Sequence, residues 1–279
     1  MTSPDIVSLS YGTVRYLFES PKESKGTILF VHGMSYPLEV WEPIRMLARS
    51  EGWSTLSYDL YGRGLSTYTG GKLSPETLAQ QMEEILTHCD IHSWVRVVTL
   101  SNGDWVGLTW SVRNLQRCHS LSMIAPSGLD SRTMNWKMRS FAQMNFLHRY
   151  MNKNLRKKLA QRMSQHALHA PEHVPEYIRD IYDTSIKSVY ENPDFCTAFW
   201  SQVANAYTIE QAYSLVKQLP AGLSIHTLRF VQEADSTEEG VSIFFGYSDL
   251  NDISIEFGTH MALLEEPEKI WKILRSLLS

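Results

Sequence analysis

Short apolar runs that alternate with amphipathic stretches constrain the fold of this 279-residue chain most strongly. Residues 27–31 form a continuous run of β-branched and apolar residues, which is typical of a strand buried on both faces, and residues 53–58 and 94–98 predict two further strands. Residues 41–50 and 75–88 lie between them and place their apolar side chains at helical spacing. Such alternation is typical of a parallel sheet joined by right-handed crossovers. We therefore predict an α/β fold, a mostly parallel twisted sheet with flanking helices.

The remaining core elements follow the same reasoning. Residues 6–19 alternate around Gly12, which predicts an antiparallel hairpin at a sheet edge. Further strands are predicted at 120–125, 225–231 and 253–257, and further helices at 102–114 and 267–278.

Between residues 129 and 219 the sequence contains no convincing buried strand and is rich in methionine and aromatic residues. We interpret this segment as a helical cap (lid) inserted into a core domain made of residues 1–128 and 220–279. Methionine and aromatic side chains pack caps, and they also line adaptable apolar pockets. An apolar small-molecule substrate is the expectation that follows.

Composition narrows the function classes. The formal net charge is −4, which gives no basis for nucleic-acid binding. Three cysteines far apart argue against a disulfide framework, and the histidines lack supported metal-ligand spacing, so no metal is predicted. We see no signal peptide and no apolar run long enough to span a membrane, and we expect a cytoplasmic protein.

One serine stands where a strand is predicted to turn sharply into a helix. The sequence there reads Thr99-Leu100-Ser101-Asn102-Gly103, close to the G-x-S-x-G pattern of a nucleophile elbow. Ser101 could also simply cap the following helix.

Three further motifs accompany this turn. Val-His-Gly at 31–33 follows a buried strand, Asp-Leu-Tyr-Gly-Arg-Gly-Leu-Ser occupies 59–66, and Gly-Thr-His at 258–260 precedes Glu-Glu-Pro at 265–267. In this order and at these spacings the chain resembles the α/β-hydrolase fold superfamily over essentially its whole length, with capped esterases and C–C hydrolases as the nearest pattern.

The resemblance implies roles for particular residues. Ser101 would be the nucleophile and His260 its base, with the backbone amides of Met34 and Asn102 forming an oxyanion hole. Asp235 would be the acid that orients His260, with Glu233 and Asp130 as the other candidates. Further residues expected in the active site are His32, Gly33, Asp104 and Trp105. His32 is equally suited to a structural role. No cofactor is implied.

Two departures from the pattern leave alternatives open. Thr99 replaces a glycine, and Asp104 replaces a small residue; an ionised carboxylate there would oppose oxyanion stabilisation. Asp104-Trp105 also resembles the nucleophile of epoxide hydrolases and haloalkane dehalogenases, which would require the strand to end near Gly103. Ser-x-Gly-x-Trp at 101–105 is similar to cofactor-free dioxygenases, in which the histidine acts as a base and the serine only binds substrate.

The function we predict is hydrolysis of an ester, thioester or activated C–C bond of an apolar small molecule by a Ser-His-Asp triad. The alternatives are base chemistry through His260 (a dioxygenase, or a lyase or cyclase of secondary metabolism), an Asp104 nucleophile, and a non-catalytic ligand binder.

Overall fold

The computed structural model describes residues 3–126, 153–165, 174–231, 242–244 and 246–278. Eight strands form one sheet: β1 Asp5–Leu9, β2 Gly12–Glu19, β3 Thr27–Val31, β4 Ser54–Tyr58, β5 Val95–Leu100, β6 Cys118–Ile124, β7 Ser224–Phe230 and β8 Leu250–Ile255. Their order is β1-β2-β4-β3-β5-β6-β7-β8. The β1–β2 hairpin pairs antiparallel to β4, and the strands from β4 to β8 run parallel. The predicted fold class is confirmed.

Nine helices are described: α1 Glu42–Ser50, α2 Pro75–His88, α3 Asp104–Arg113, α4 Lys153–Gln165, α5 Glu176–Glu191, α6 Phe195–Ala204, α7 Ile209–Val216, α8 Ala262–Glu265 and α9 Pro267–Leu278. The start of α2 follows from its sequence, since Ser74 accepts a hydrogen bond from the Thr77 amide and Pro75 occupies the first turn. Among the described helices, none combines the length and the apolar character needed to cross a bilayer.

Both faces of the sheet are covered, which explains why strand β3 is almost continuously apolar. In β3, Leu29 and Val31 pack toward α2 and α3, whereas Ile28 and Phe30 pack toward α1 and α9. Parallel strands that are buried on both faces need apolar residues at every position.

Helices α4 to α7 lie in the chain between β6 and β7, where the helical cap is predicted. The last of them, α7, packs Ala212, Leu215 and Val216 into the same cluster as α2 and α3. This helix is therefore part of the packing around the sheet.

The last strand differs from its prediction. β8 begins at Leu250 and ends at Ile255, whereas the apolar pattern predicted 253–257. The strand extends through a polar residue because Asp252 is paired across the sheet: it accepts hydrogen bonds from the Thr227 hydroxyl and from Arg229 Nε, the latter at 2.8 Å. An edge strand tolerates such residues, and a search for apolar runs misses them.

Candidate active site

The sequence motifs meet at one edge of the sheet. The 32–34 loop follows β3, the 59–66 loop follows β4, Ser101 follows β5, and His260 lies five residues beyond the end of β8. Because these four strands are parallel, their carboxyl ends share one edge, the position at which open α/β sheets bind ligands.

Ser101 occupies a strained turn. Strand β5 ends at Leu100, Ser101 begins a single 3₁₀ turn, and α3 starts at Asp104. The φ angle of Ser101 is 54°, a left-handed conformation that is uncommon for a residue other than glycine. Backbone strain of this kind is concentrated at functional sites. The geometry is that of a sharp strand–turn–helix elbow with the serine at its tip.

The 32–34 loop packs directly against this elbow. A Cβ atom on Gly103 would lie 2.7 Å from the carbonyl oxygens of both Val31 and His32. A Cβ atom on Gly33 would lie 3.2 Å from the Ser101 Cβ atom. Gly103 is therefore needed for the close approach of the two backbones, and a side chain at Gly33 would require its neighbours to shift by a few tenths of an ångström. This approach brings the loop that carries Met34 beside Ser101.

His32 is used structurally. Its Nε2 atom accepts a hydrogen bond from the Leu60 amide at 2.9 Å, so Nδ1 carries the proton and donates to the Gly33 carbonyl oxygen at 2.7 Å. The side chain is fully buried, and burial lowers the pKa of His32 to about 3. The neutral ring ties the loop after β3 to the loop after β4.

Thr99 and Asp104, the two residues that depart from the family pattern, are hydrogen-bonded to each other. The Thr99 hydroxyl donates to Asp104 Oδ1, and both side chains are fully buried. Burial raises the pKa of Asp104 well above its usual range, and the bond from Thr99 offsets this only partly. Burial thus favours the neutral form of this carboxyl group, which weakens the electrostatic objection to an adjacent oxyanion.

Gly107 provides the space that Thr99 needs. A Cβ atom on Gly107 would lie 2.5 Å from Thr99 Cγ2, so the threonine methyl group packs where this helix has no side chain. The observed end of β5 at Leu100 also differs from the strand end near Gly103 that an Asp104 nucleophile would require.

Asp104→Asn is expected to leave turnover nearly unchanged, because burial already favours the neutral form of the carboxyl group that it replaces. The folded protein keeps this proton at pH values where the unfolded chain releases it. That contribution to stability therefore declines as the pH rises from about 3.8 toward the raised pKa of the folded state. Asparagine cannot ionise. We therefore expect the difference in free energy of unfolding, variant minus wild type, to be more favourable to the variant at about pH 7.5 than at about pH 4.5. Urea unfolding at the two pH values is the measurement. Abolished turnover in a folded variant would instead indicate an Asp104 nucleophile.

His260 lies in a short loop between β8 and α8 and is partly exposed. Glu265 organises this loop: its carboxylate accepts hydrogen bonds from the Thr259 amide at 3.2 Å and from the Thr259 hydroxyl at 2.8 Å. Gly258 adopts a φ of 73°, and a Cβ atom there would lie 2.6 Å from Ala262 Cβ. The Gly-Thr-His and Glu-Glu-Pro motifs are thus parts of one compact turn.

The three candidate acids, Asp235, Glu233 and Asp130, lie outside the described residues. Their roles stay predictions.

A buried chain of hydrogen bonds that no sequence motif indicated begins at Arg63. Arg63 Nε donates to the Met34 carbonyl oxygen at 3.0 Å, and Nη2 donates to Gln202 Oε1. Gln202 Nε2 in turn donates to Asn102 Oδ1 at 2.6 Å. Arg63 belongs to a motif that the sequence displays, but Gln202 lies on helix α6 and no local pattern identifies it.

Two cavities border this region. A cavity of ≈10 Å³ beside the elbow is lined mainly by apolar side chains, with Asn102 and Gln202 as its polar groups. A larger cavity of ≈470 Å³ lies between residues 64–67 and the end of helix α5. Neither cavity is lined by Ser101 or His260, but Asn102 of the serine turn lines the smaller one. We centre the candidate site on the smaller cavity because the strained serine turn adjoins it. Within the described ranges, no group of three or more His, Cys, Asp or Glu side chains is arranged to hold a metal ion.

Comparisons with solved structures agree with this fold. The enol-lactonase from Burkholderia xenovorans is 12% identical and superposes with a TM-score of 0.74 over 98% of this chain and 99% of that chain. A thermophilic esterase from Thermogutta terrifontis is 17% identical, with a TM-score of 0.72 over 99% and 98%. A carboxylesterase structure from Nitrososphaera gargenis is 14% identical, with a TM-score of 0.71 over 98% and 97%.

No protein-family model matches the sequence, and no curated protein matches it. The structural likeness, at these low identities, concerns the fold alone. Together with the eight-stranded sheet and its strand–turn–helix elbow, it places this chain in the α/β-hydrolase fold.

Proposed function

We propose that this protein is a serine hydrolase that cleaves an ester, thioester or activated C–C bond of a small apolar molecule. The observation that carries the proposal is the left-handed turn at Ser101, held against the 32–34 loop at the carboxyl edge of the sheet. Three structurally similar proteins are described as an enol-lactonase, an esterase and a carboxylesterase, which supports hydrolysis as the reaction class.

In the proposed mechanism the Ser101 hydroxyl attacks the substrate carbonyl carbon while His260 accepts its proton. The amides of Met34 and Asn102 donate to the oxyanion that develops, and the start of α3 adds a favourable dipole. The acid that orients His260 is assigned to Asp235, with Glu233 and Asp130 as the other candidates. The tetrahedral intermediate then collapses as the scissile bond breaks, and His260 donates its proton to the departing alcohol, thiol or carbon group, which leaves an acyl-enzyme on Ser101. Water, deprotonated by His260, attacks the acyl carbon, and the proton returns to Ser101 as the acid product is released.

The buried environment of Asp104 supports hydrolysis over the alternatives that its sequence position raised. Burial favours the neutral form of this carboxyl group, and the neutral form neither repels an oxyanion nor acts readily as a nucleophile.

An apolar substrate and a helical cap over the site belong to the same proposal. The small cavity at the elbow is bordered by Met34, Leu78, Trp105 and Val106, and helix α6 reaches it through Gln202. We also assign the enzyme to the cytoplasm, since its three cysteines are free thiols, which fits a reducing compartment.

Labelling with a fluorophosphonate tests the reaction class. We expect stoichiometric labelling of the wild-type protein and no labelling of Ser101→Ala or His260→Ala. Absence of labelling in all three, with substrate turnover that survives Ser101→Ala but not His260→Ala, would overturn the proposal in favour of base chemistry. Pocket affinity with no turnover of any substrate class would favour a ligand binder.

A further inference from the structure

Arg63 is a fully buried cation beside the proposed oxyanion hole. Three of its nitrogen atoms donate to neutral oxygens: the carbonyls of Met34 and Tyr61, at 3.0 Å and 2.9 Å, and the side chain of Gln202. No carboxylate of the described residues forms an ion pair with it. The Phe195 ring, 5.9 Å from the guanidinium carbon, is a further favourable contact.

This charge persists at neutral pH. Burial lowers the pKa of Arg63 to about 9, so the guanidinium stays protonated at pH 7. Burying a cation without a carboxylate partner is costly, and such a cost is usually met where the charge has a use.

The chemistry of arginine fixes the orientation of the next two side chains. A guanidinium only donates, so the Gln202 oxygen must face Arg63 and its NH₂ group must face Asn102. Asn102 therefore presents its side-chain oxygen to Gln202 at 2.6 Å. Met34 and Asn102 are the two residues whose amides are proposed to bind the oxyanion. Met34 is thus hydrogen-bonded directly to Arg63, and Asn102 is linked to Arg63 through Gln202 on helix α6.

We propose that Arg63 and Gln202 are positioning residues that align the Met34 and Asn102 amides for the oxyanion and make that alignment depend on helix α6. This inference rests on the proposed function of the same site. The Arg63–Met34 bond holds the 32–34 loop, the Gln202–Asn102 bond holds the elbow, and the buried positive charge favours the oxyanion over the neutral carbonyl. Helix α6 must then be correctly positioned for transition-state stabilisation, in addition to its contribution to packing.

Gln202→Met tests the proposal because methionine keeps the length of the side chain and removes both hydrogen bonds. The expected result is a fall in kcat of about 10- to 100-fold with KM nearly unchanged, since misplaced donors weaken transition-state binding alone. Affinity for a trifluoromethyl ketone, which forms an oxyanion on the serine, should fall in parallel with kcat.

Two controls separate positioning from general damage to the cap. Ser201→Ala removes a neighbouring contact between α6 and the core, the bond from the Leu73 amide at 3.0 Å, and should leave kcat close to wild type. In an Asn102→Ala background, Gln202→Met should have little further effect, because its action passes through the Asn102 side chain. If Gln202→Met fails to fold, Asn102→Ala alone serves as the test, because it removes the same hydrogen bond between Gln202 and Asn102.

The outcomes distinguish this inference from the proposed function. If the wild type labels stoichiometrically with fluorophosphonate but Gln202→Met keeps both kcat and ketone affinity, the positioning role is wrong and the hydrolase assignment stands. Fully additive effects of Asn102→Ala and Gln202→Met would also overturn it. If the wild type does not label, the hydrolase assignment itself fails.

Discussion

Ser101→Ala is expected to reduce kcat by about 10⁴- to 10⁶-fold while the protein stays folded, because removing the nucleophile of a serine hydrolase removes covalent catalysis altogether. His260→Ala should cost a similar factor, and the double variant should be little slower than either alone, since the two groups act as one unit. The measurement is steady-state hydrolysis of a panel of activated esters and thioesters of increasing acyl length.

The matched control is Ser111→Ala, which removes another buried hydroxyl from the same strand–turn–helix unit. Ser111 is on the far part of α3, where its hydroxyl oxygen accepts a weak hydrogen bond from Cys118. This variant should retain wild-type kcat. A Ser101→Ala variant that retains most of its turnover would be incompatible with a nucleophilic serine.

Asp59→Ala is expected to lower the free energy of unfolding by about 3–5 kcal/mol, the cost of removing one partner of a buried ion pair. The fully buried Asp59 carboxylate binds Arg15 Nε at 2.6 Å and also accepts the amides of Leu38 at 2.7 Å and Leu65 at 2.9 Å. Burial alone would lower the pKa of Arg15, but the carboxylates of Asp59 and Glu39 hold this pKa above its usual range. Urea unfolding at neutral pH is the measurement.

Glu39→Gln is the control, since it changes a carboxylate on the same arginine at a more exposed place. The Glu39 side chain is 26% exposed, and losing its charge should cost about 1 kcal/mol or less. The Asp59 carboxylate also packs against Gly64, where a Cβ atom would lie 2.0 Å from Asp59 Oδ2. Equal free energies of unfolding for Asp59→Ala and Glu39→Gln would show that the buried Asp59 carboxylate contributes no more to stability than the more exposed Glu39 carboxylate.

The sequence predicts the fold well where local chemistry determines the element. The bounds of β3, α2 and α9 coincide with their predictions because a continuous apolar run or an initial proline marks them. The start of β8 was missed because Asp252 is stabilised by residues of a neighbouring strand that only the fold brings close.

The candidate site, like the fold, could be predicted only where the local sequence determines it. The position of Ser101 in a sharp turn could be predicted from the strand, the small residues and the helix around it. The preference of Asp104 for its neutral form could not be predicted, because it depends on complete burial. Gln202 could not be predicted either, since its contact with Asn102 spans 100 positions of the chain.

The central claim, that Ser101 is the nucleophile, is tested most directly by locating the acyl group during turnover. Ser101 and Asp104 fall within the same tryptic peptide, residues 97–113, so fragmentation of that peptide must distinguish the two side chains. After acid quench of a reaction with a slowly deacylating ester, we predict the acyl mass on Ser101. An acyl or alkyl ester found on Asp104, or turnover with no modification of this peptide at any time point, would contradict the account.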